Sequence, residues 1–406
     1  MKSIILATVS AAALLTAGAA SAQTFPYGPY TPNPVTQSNA QVSAAVDQTG
    51  SANNATTAQD HAPATGPQNT STIVQGFNGV SADNSAANVN QTGAGQRALT
   101  MQSGTNTSTM NQSGTNNDAF AYQTGSGNQA STSQSGKSAP AHSGNIGGVN
   151  GAGSTNGGDT LAASLANQNE SQIENTVETT GINNPSDPAN ETGSYIVQAS
   201  GANGNTANVN QSDAGERTAI VQVAENNSTA NVTQVGIASD TFVHQDNGSG
   251  NNAAVSQTGG YNSAVVYQTN SAGSIANINQ SGTLSGNLGF AVQTGVGQQS
   301  YITQSGALDQ ARSNQLGSYN YSNVNQTGYD NIGTVNQNGT GNQSNLTQNG
   351  SGTPNGAGQS AGGGDVADVA QTGVYNRSFV TQNLGNAWAR VGQNGTGNTS
   401  TVQQGR

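Results

Sequence analysis

One feature constrains this chain more than any other: a glutamine returns at steps of 10 to 13 residues over most of its length, often with a glycine two positions later. Gln91, Gln102, Gln112, Gln123 and Gln134 are followed by Gly93, Gly104, Gly114, Gly125 and Gly136. The series resumes at Gln211, Gln222, Gln234, Gln245, Gln257, Gln268 and Gln280, and runs on through Gln293, Gln304, Gln315, Gln326, Gln337 and Gln348. Gln371, Gln382, Gln393 and Gln404 close it, while Gln48, Gln75 and Gln198 read as isolated members. Self-similarity at a fixed short period is the mark of a stacked repeat architecture.

Stepping back from each glutamine by two exposes the rest of the unit. Asn205, Ala207, Val209, Gln211 is one example; Asn251, Ala253, Val255, Gln257 and Asn262, Ala264, Val266, Gln268 are others. Asn342, Ser344, Leu346, Gln348 and Asn376, Ser378, Val380, Gln382 follow the same rule. An eleven-residue period also suits a right-handed helical coil. A glycine in nearly every unit would cost such a helix about 1 kcal/mol each, and Asn, Ser, Thr and Val add smaller penalties. Alternation with period two is instead a strand signal. Each unit therefore reads as about seven strand residues and a turn of about four.

Unit spacing indicates how the strands close into a coil. Gln211 to Gln234, Gln234 to Gln257 and Gln257 to Gln280 are each 23 residues, made of alternating steps of 11 and 12. Two strands joined by two unequal turns produce that alternation. From Gln293 to Gln348 every step is 11, which gives coils of 22. The expected fold is all-β: a β-solenoid of stacked two-strand coils, amyloid-like, with Gly-rich inserts. Coils stack at about 4.8 Å in parallel register. Burying one Val contributes roughly 1.5–3 kcal/mol, whereas ordering backbone costs about 1–2 kcal/mol per residue. A lone unit cannot fold, and stacking must supply the difference through ladders of amides that donate to and accept from their copies in the next coil. The expected ladder residues are Gln211, Gln222, Gln234, Gln245, Gln257, Gln268, Gln280, Gln304, Gln326, Gln337, Gln348, Gln382 and Gln393, with Asn205, Asn251, Asn262, Asn342 and Asn376.

Composition narrows the functional classes. Of 406 residues, 54 are Asn and 40 Gln, only 7% are charged and 4% aromatic, so a single large apolar core is excluded. A net charge of −11 with eight Lys and Arg leaves no basic cluster to displace counterions from phosphate, which argues against a nucleic-acid partner. With no cysteine there is neither a disulfide framework nor a thiolate metal site. His61, His142 and His244 stand far apart without partnered carboxylates, and are read as solvated side chains. Glu170, Glu174 and Glu178 lack any calcium-loop pattern. No catalytic, cofactor or metal constellation is expected, and no enzyme activity.

The unit Asn-x-Ala-x-Val-x-Gln-x-Gly-x-x-Asn, seen from Asn251 to Asn262, resembles the curlin repeat of curli, the bacterial extracellular amyloid fibres. The resemblance covers roughly Asn69 to Gly136 and Thr192 to Gln404. It implies a secreted subunit, exported unfolded through a dedicated outer-membrane pore with a periplasmic chaperone. Such a subunit polymerises on the cell surface with itself or a related curlin and supports biofilm, aggregation and adhesion. It also implies that the Asn/Ser and Gln positions determine the fold. The chain departs from the usual five or so repeats in having many more, an insert, and several units with Asp, Glu or Thr at the first position.

The remaining segments divide as follows. Lys2, the apolar stretch Ile4 to Leu15 and Ala20-Ser21-Ala22 have the order of a secretory signal peptide, residues 1–22. Residues 23–68 carry Phe25, Tyr27, Tyr30 and several prolines, together with one isolated unit; the opening stretch reads as an export-recognition segment or a frayed terminus. Repeats occupy 69–136 and 192–406, separated by a Gly-rich insert at 137–191 read as loop or disorder, with a short helix or a degenerate unit as competitors. A second Gly-rich loop lies near 351–364 and keeps phase, because Gln348 to Gln371 is 23.

Three functions compete: a polymerising subunit, a monomeric solenoid with a binding face, and a solenoid enzyme. The enzyme would need clustered carboxylates or basic residues, and an ice-binder would need a regular Thr row. Neither pattern is present. Asn398, Ser400, Val402 and Gln404 form a regular unit at the C-terminal end, an expected open edge for adding subunits. Arg377, Arg390 and Arg406 leave a nucleator role as the alternative to a major subunit, with a monomeric surface adhesin behind it.

Overall fold

The computed structural model describes residues 8–9, 35–37, 42–60, 69–76, 81–136, 192–199, 202–282, 286–350, 354–355, 359–360, 364–383 and 385–405. The inserted segment 137–191 and nearly all of 1–34 lie outside them, as do the expected helix and the three glutamates within that insert. The chain divides into two compact units, 1–224 and 225–406. Each is a β-solenoid built from two parallel sheets, with about 12 turns in all and about 23 residues per turn.

In the second unit, successive strands alternate between the sheets. One sheet takes Thr229–Ile237, Asn252–Gly260, Ile275–Gly282, Gln299–Ala307, Tyr321–Tyr329, Gln343–Gln348, Arg377–Gln382 and Thr399–Gln404. The other takes Asp240–Asp246, Ser263–Ala272, Leu288–Val296, Gln310–Ser318, Ile332–Thr340, Val366–Val374 and Trp388–Thr396. Equivalent residues sit directly above one another: Val232 pairs with Val255, Gln234 with Gln257 and Gly236 with Gly259. The first unit follows the same plan. There Asn54–Asp60 pairs with Ala86–Ala94, and Asn69–Gln75 with Arg97–Gln102. Thr8–Val9 pairs antiparallel with Ala44 and Ala45, inside the stretch read as a leader.

Alternation places Ala253, Val255 and Gln257 inside while Ala254 and Ser256 face outward. The core is thin and filled by one small, one branched and one amide residue per strand, such as Ala276, Ile278 and Gln280. Many strands run nine residues rather than seven, because pairing continues past the glutamine through the glycine, as from Gln315 to Gly317 against Gln337 to Gly339. The glycine is required there. Gly317 has φ +111, and a Cβ on it would overlap the carbonyl oxygen of Gly339 in the next coil. Loss of the side chain lets the chain bend while the carbonyls stay paired.

Interruptions leave the register intact. Gln348 pairs with Gln382 in the next coil although 34 residues separate them, and the 351–363 stretch between contains only a minimal antiparallel pair, Pro354–Asn355 with Gln359–Ser360, among its described residues. In the first unit the whole 137–191 insert is bypassed, since Gln134 pairs with Gln211.

Candidate functional site

The chemistry of this molecule is concentrated in its buried amides. In the second unit one column runs Gln234, Gln257, Gln280, Gln304, Gln326, Gln348, Gln382 and Gln404, each Nε2 donating to the Oε1 of the next at 2.8–3.0 Å. A second column runs Gln245, Gln268, Gln293, Gln315, Gln337, Gln371 and Gln393 at 2.8–3.0 Å. Each amide has a second proton, which goes to a backbone carbonyl of the facing sheet: Gln326 donates to Gln310 O at 2.8 Å and Gln337 to Tyr321 O at 2.9 Å. Both donors and the acceptor of each central glutamine are thereby used, which is what permits a polar group at full burial.

The first unit holds two more columns. Gln48, Gln75, Gln102, Gln123, Gln198 and Gln222 form one, with amide contacts of 2.5–3.0 Å. Gln59, Gln91, Gln112, Gln134 and Gln211 form the other, at 2.6–3.0 Å. Gln48, Gln75 and Gln198, which look isolated along the chain, are therefore regular members. Gln59 escaped the sequence reading. Its unit, Asn53, Ala55, Thr57, Gln59, has Thr at the apolar position and His61 where glycine is common.

At the asparagine positions the side-chain oxygen accepts from the backbone of the next coil, and amide-to-amide contacts join Asn376 Nδ2 to Asn342 Oδ1 at 3.1 Å and Asn398 Nδ2 to Asn376 Oδ1 at 3.0 Å. Asn251 Oδ1 accepts from the backbone N–H of Ser274 at 3.1 Å, Ser274 Oγ from that of Gln298 at 3.2 Å, and Gln298 Oε1 from that of Asn320 at 3.1 Å. Asn320, Asn342 and Asn376 continue the series to Asn398. At the strand entry the side chain reaches the next coil's backbone with an acceptor oxygen that Asn, Ser, Gln and Asp all supply, and the Asn amides donate as well, as Asn320 Nδ2 does to Gly339 O at 3.0 Å. In the column of Asn262 and Asn287, Asp309 Oδ1 serves Asn331 N–H at 3.0 Å and Asp365 Oδ1 serves Ala387 N–H at 3.0 Å. In the first unit, Asn128 Oδ1 likewise accepts from Asn205 N–H at 3.2 Å.

These acids are fully buried, and burial pushes the carboxyls of Asp309 and Asp365 up from the usual range against the pull of their hydrogen bonds. Asp309 Oδ2 and Asp365 Oδ2 have no hydrogen-bond partner. Glu225 is buried beside Ser228 and Asn251, and desolvation raises it to about 7. The fully buried side of the C-terminal pair of strands ends at Gln393; in Thr399–Gln404 the inward residues Ser400, Val402 and Gln404 are half-exposed.

Outward-facing rings stack along the other sheet. Phe242, Tyr267 and Phe290 follow one another at 5.5 and 6.0 Å, and the Arg312 guanidinium lies 5.3 Å from the Phe290 centroid. His244 is half-buried in this row, 5.6 Å from the Tyr267 ring, rather than freely solvated as expected. His61 and His142 lie outside the described residues. Among the described residues no three His, Asp or Glu side chains converge as a metal site.

Parallel two-sheet coils held by continuous buried amide columns define a β-solenoid. No protein-family model matches the chain, and no curated protein matches it either.

Proposed function

We propose that this chain is a secreted structural subunit of a curli-like extracellular amyloid fibre. Subunits add edge to edge, each new coil extending the amide columns of the last, and the fibre supports cell adhesion and the biofilm matrix. The observation that carries this reading is the self-complementarity of the columns: one strand's Gln, Gly and Asn positions meet the same residue types in the next strand, at unbroken register. A sheet edge with that property templates another copy, because the incoming strand finds backbone and side-chain partners at once. Low charge in the strands removes repulsion between stacked copies. The partner is a second copy or a related subunit; export through an outer-membrane pore with a periplasmic chaperone and a cell-surface destination belong to the same proposal. The chain acts as material rather than as an enzyme, and takes no cofactor.

The test is assembly of purified chain lacking 1–22. Expected are fibres that bind thioflavin, a lag abolished by sonicated seeds, and a meridional reflection at about 4.8 Å. A chain that remains monomeric for days in the presence of its own seeds overturns the reading.

A further inference from the structure

The two outer faces of the second unit differ in chemistry. Across the seven strands of the sheet containing Phe242, Asp240, Asp246, Arg312, Asp368 and Arg390 carry charge. Across the eight strands of the opposite sheet, from Thr229 to Gln404, Arg377 is the one charged residue. Its outward positions are mostly hydroxyls and amides, interrupted by Tyr301, Tyr321 and Tyr329 and by the apolar Val235, Ile237, Ile275 and Phe379. Tyr301 and Tyr321 pack with ring centroids 5.7 Å apart. In an acidic protein, an uncharged face of this extent has a composition suited to a neutral polar partner.

The turns that lead into the same sheet hold two further tyrosines, in the left-handed backbone that Tyr261 and Leu308 share at other turns. Tyr319 and Tyr375 have φ +55 each and remain 66% and 63% exposed. Left-handed backbone is disfavoured for a bulky side chain and marks a site where something other than backbone preference has decided the residue. Each ring is seated against a glycine of the preceding coil. A Cβ on Gly297 would lie 2.6 Å from Tyr319 Cδ1, and one on Gly341 would lie 2.6 Å from Tyr375 Cδ1. Rim positions thus read Gly297, Tyr319, Gly341, Tyr375, Gly397, with rings in alternate coils. Two coils at about 4.8 Å put the rings about 9.6 Å apart.

We propose that this face binds an extended, neutral β-1,4-linked glycan lying along the stacking direction. The sugar C–H faces stack on Tyr319 and Tyr375, whose alternate-coil spacing is close to the disaccharide repeat of such a chain. The equatorial hydroxyls meet the outward amides Gln343 and Asn345 and the Tyr321 hydroxyl. Aromatic rings supply apolar area together with a polar tip at small entropic cost, which suits a ligand that is apolar on its faces and polar around its edge. Absence of carboxylates from these strands fits a ligand without cationic groups, and the single Arg377 leaves a polyanion little to bind. The face is present on every copy, so the proposal does not depend on polymerisation.

The test uses full-length chain, as fibres and as freshly purified monomer, mixed with insoluble cellulose, with chitin, or with calcium alginate beads as the polyanion arm. Expected is retention on cellulose or chitin and little on alginate, with cellulose and chitin separating the two sources of the same chain geometry. The double substitution Tyr319→Asn/Tyr375→Asn should lower retention at least tenfold. Asn suits left-handed backbone, so the variant keeps its fold, checked by an unchanged urea midpoint of the monomer. Wild-type chain that ignores both neutral glycans, prefers alginate, or binds equally well after the double substitution overturns the proposal. Sedimentation that occurs equally without glycan, as fibre bundles that Tyr319→Asn/Tyr375→Asn disperses, marks lateral pairing of copies through this face and overturns the proposal. Failure of seeding with intact glycan retention would count against fibre growth and leave this proposal standing.

Discussion

Gln326 Nε2 donates to Gln348 Oε1 at 2.9 Å while its second proton goes to Gln310 O at 2.8 Å and its own Oε1 accepts from Gln304. One side chain therefore ties three coils and both sheets. Replacing it by Leu takes the donor from the Gln348 oxygen and from the Gln310 carbonyl in a dry core, while Gln304 Nε2 keeps Leu288 O and Asp309 O. Each orphaned group costs about 1–3 kcal/mol, so Gln326→Leu should lose about 3 kcal/mol or more, read as a fall in urea midpoint. Gln403→Leu, on the exposed side of the last strand, should change stability by less than about 0.5 kcal/mol.

Acid should favour the folded chain. Glu225 is held protonated up to about 7 by burial, against 4.5 for an ordinary glutamate, and Asp309 and Asp365 are raised from 3.8 for the same reason. The folded chain keeps protons that the unfolded chain has already released. The Glu225 contribution is therefore complete below pH 4.5 and is lost as pH rises to about 7, with about 2–3 kcal/mol attached to it, while the parts from Asp309 and Asp365 begin to fall from 3.8. Urea midpoints measured from pH 4 to 8 should fall across that window, and Glu225→Gln should flatten the fall. A midpoint that rises with pH in the wild-type chain would contradict this.

A column that changes from Ala to Ser offers a gain in stability. Ala230, Ala253 and Ala276 are followed in register by Ser300, Ser322, Ser344 and Ser378, whose buried hydroxyls have no hydrogen-bond partner. Ser322→Ala restores the residue used three coils lower and removes an unsatisfied oxygen. An increase of about 1 kcal/mol is expected, measurable as a higher melting temperature.

The glycines divide into two kinds. Gly317→Ala must place a Cβ into the carbonyl of Gly339 at φ +111, and should cost about 3 kcal/mol or block assembly. Gly392 has open space around its missing Cβ and Ala370 as its register partner, so Gly392→Ala should be neutral or stabilise by up to about 1 kcal/mol. Parallel refolding yields distinguish the two.

The coil was legible in the sequence because Gln, Gly and the apolar positions keep phase: Gln257, Gln280 and Gln304 fall where the 23-residue spacing puts them, within one residue. What sequence spacing hid was membership across gaps. Gln123 and Gln198 are 75 residues apart yet touch at 2.8 Å, because a hydrogen-bonded column is indifferent to the length of the loop that bypasses it. The first-position Asp residues looked like departures from the repeat. Asp309 and Asp365 satisfy the same backbone N–H as Asn, through the acceptor oxygen that both residue types carry. Glycine seats for tyrosine rings had no sequence signal, since Gly341 and Tyr375 come together only when coils stack.

The interruption at 351–363, ahead of the strand Val366–Val374, makes the molecule a display scaffold. A coil's address is set by which amide it meets, not by how many residues precede it, and each doubling of a flexible loop costs only about 0.6 kcal/mol more to close. A foreign peptide inserted between 351 and 363 would be carried outside the stack at every subunit without shifting a single rung. A fibre of such subunits would present its cargo at regular, molecularly fixed intervals along its length.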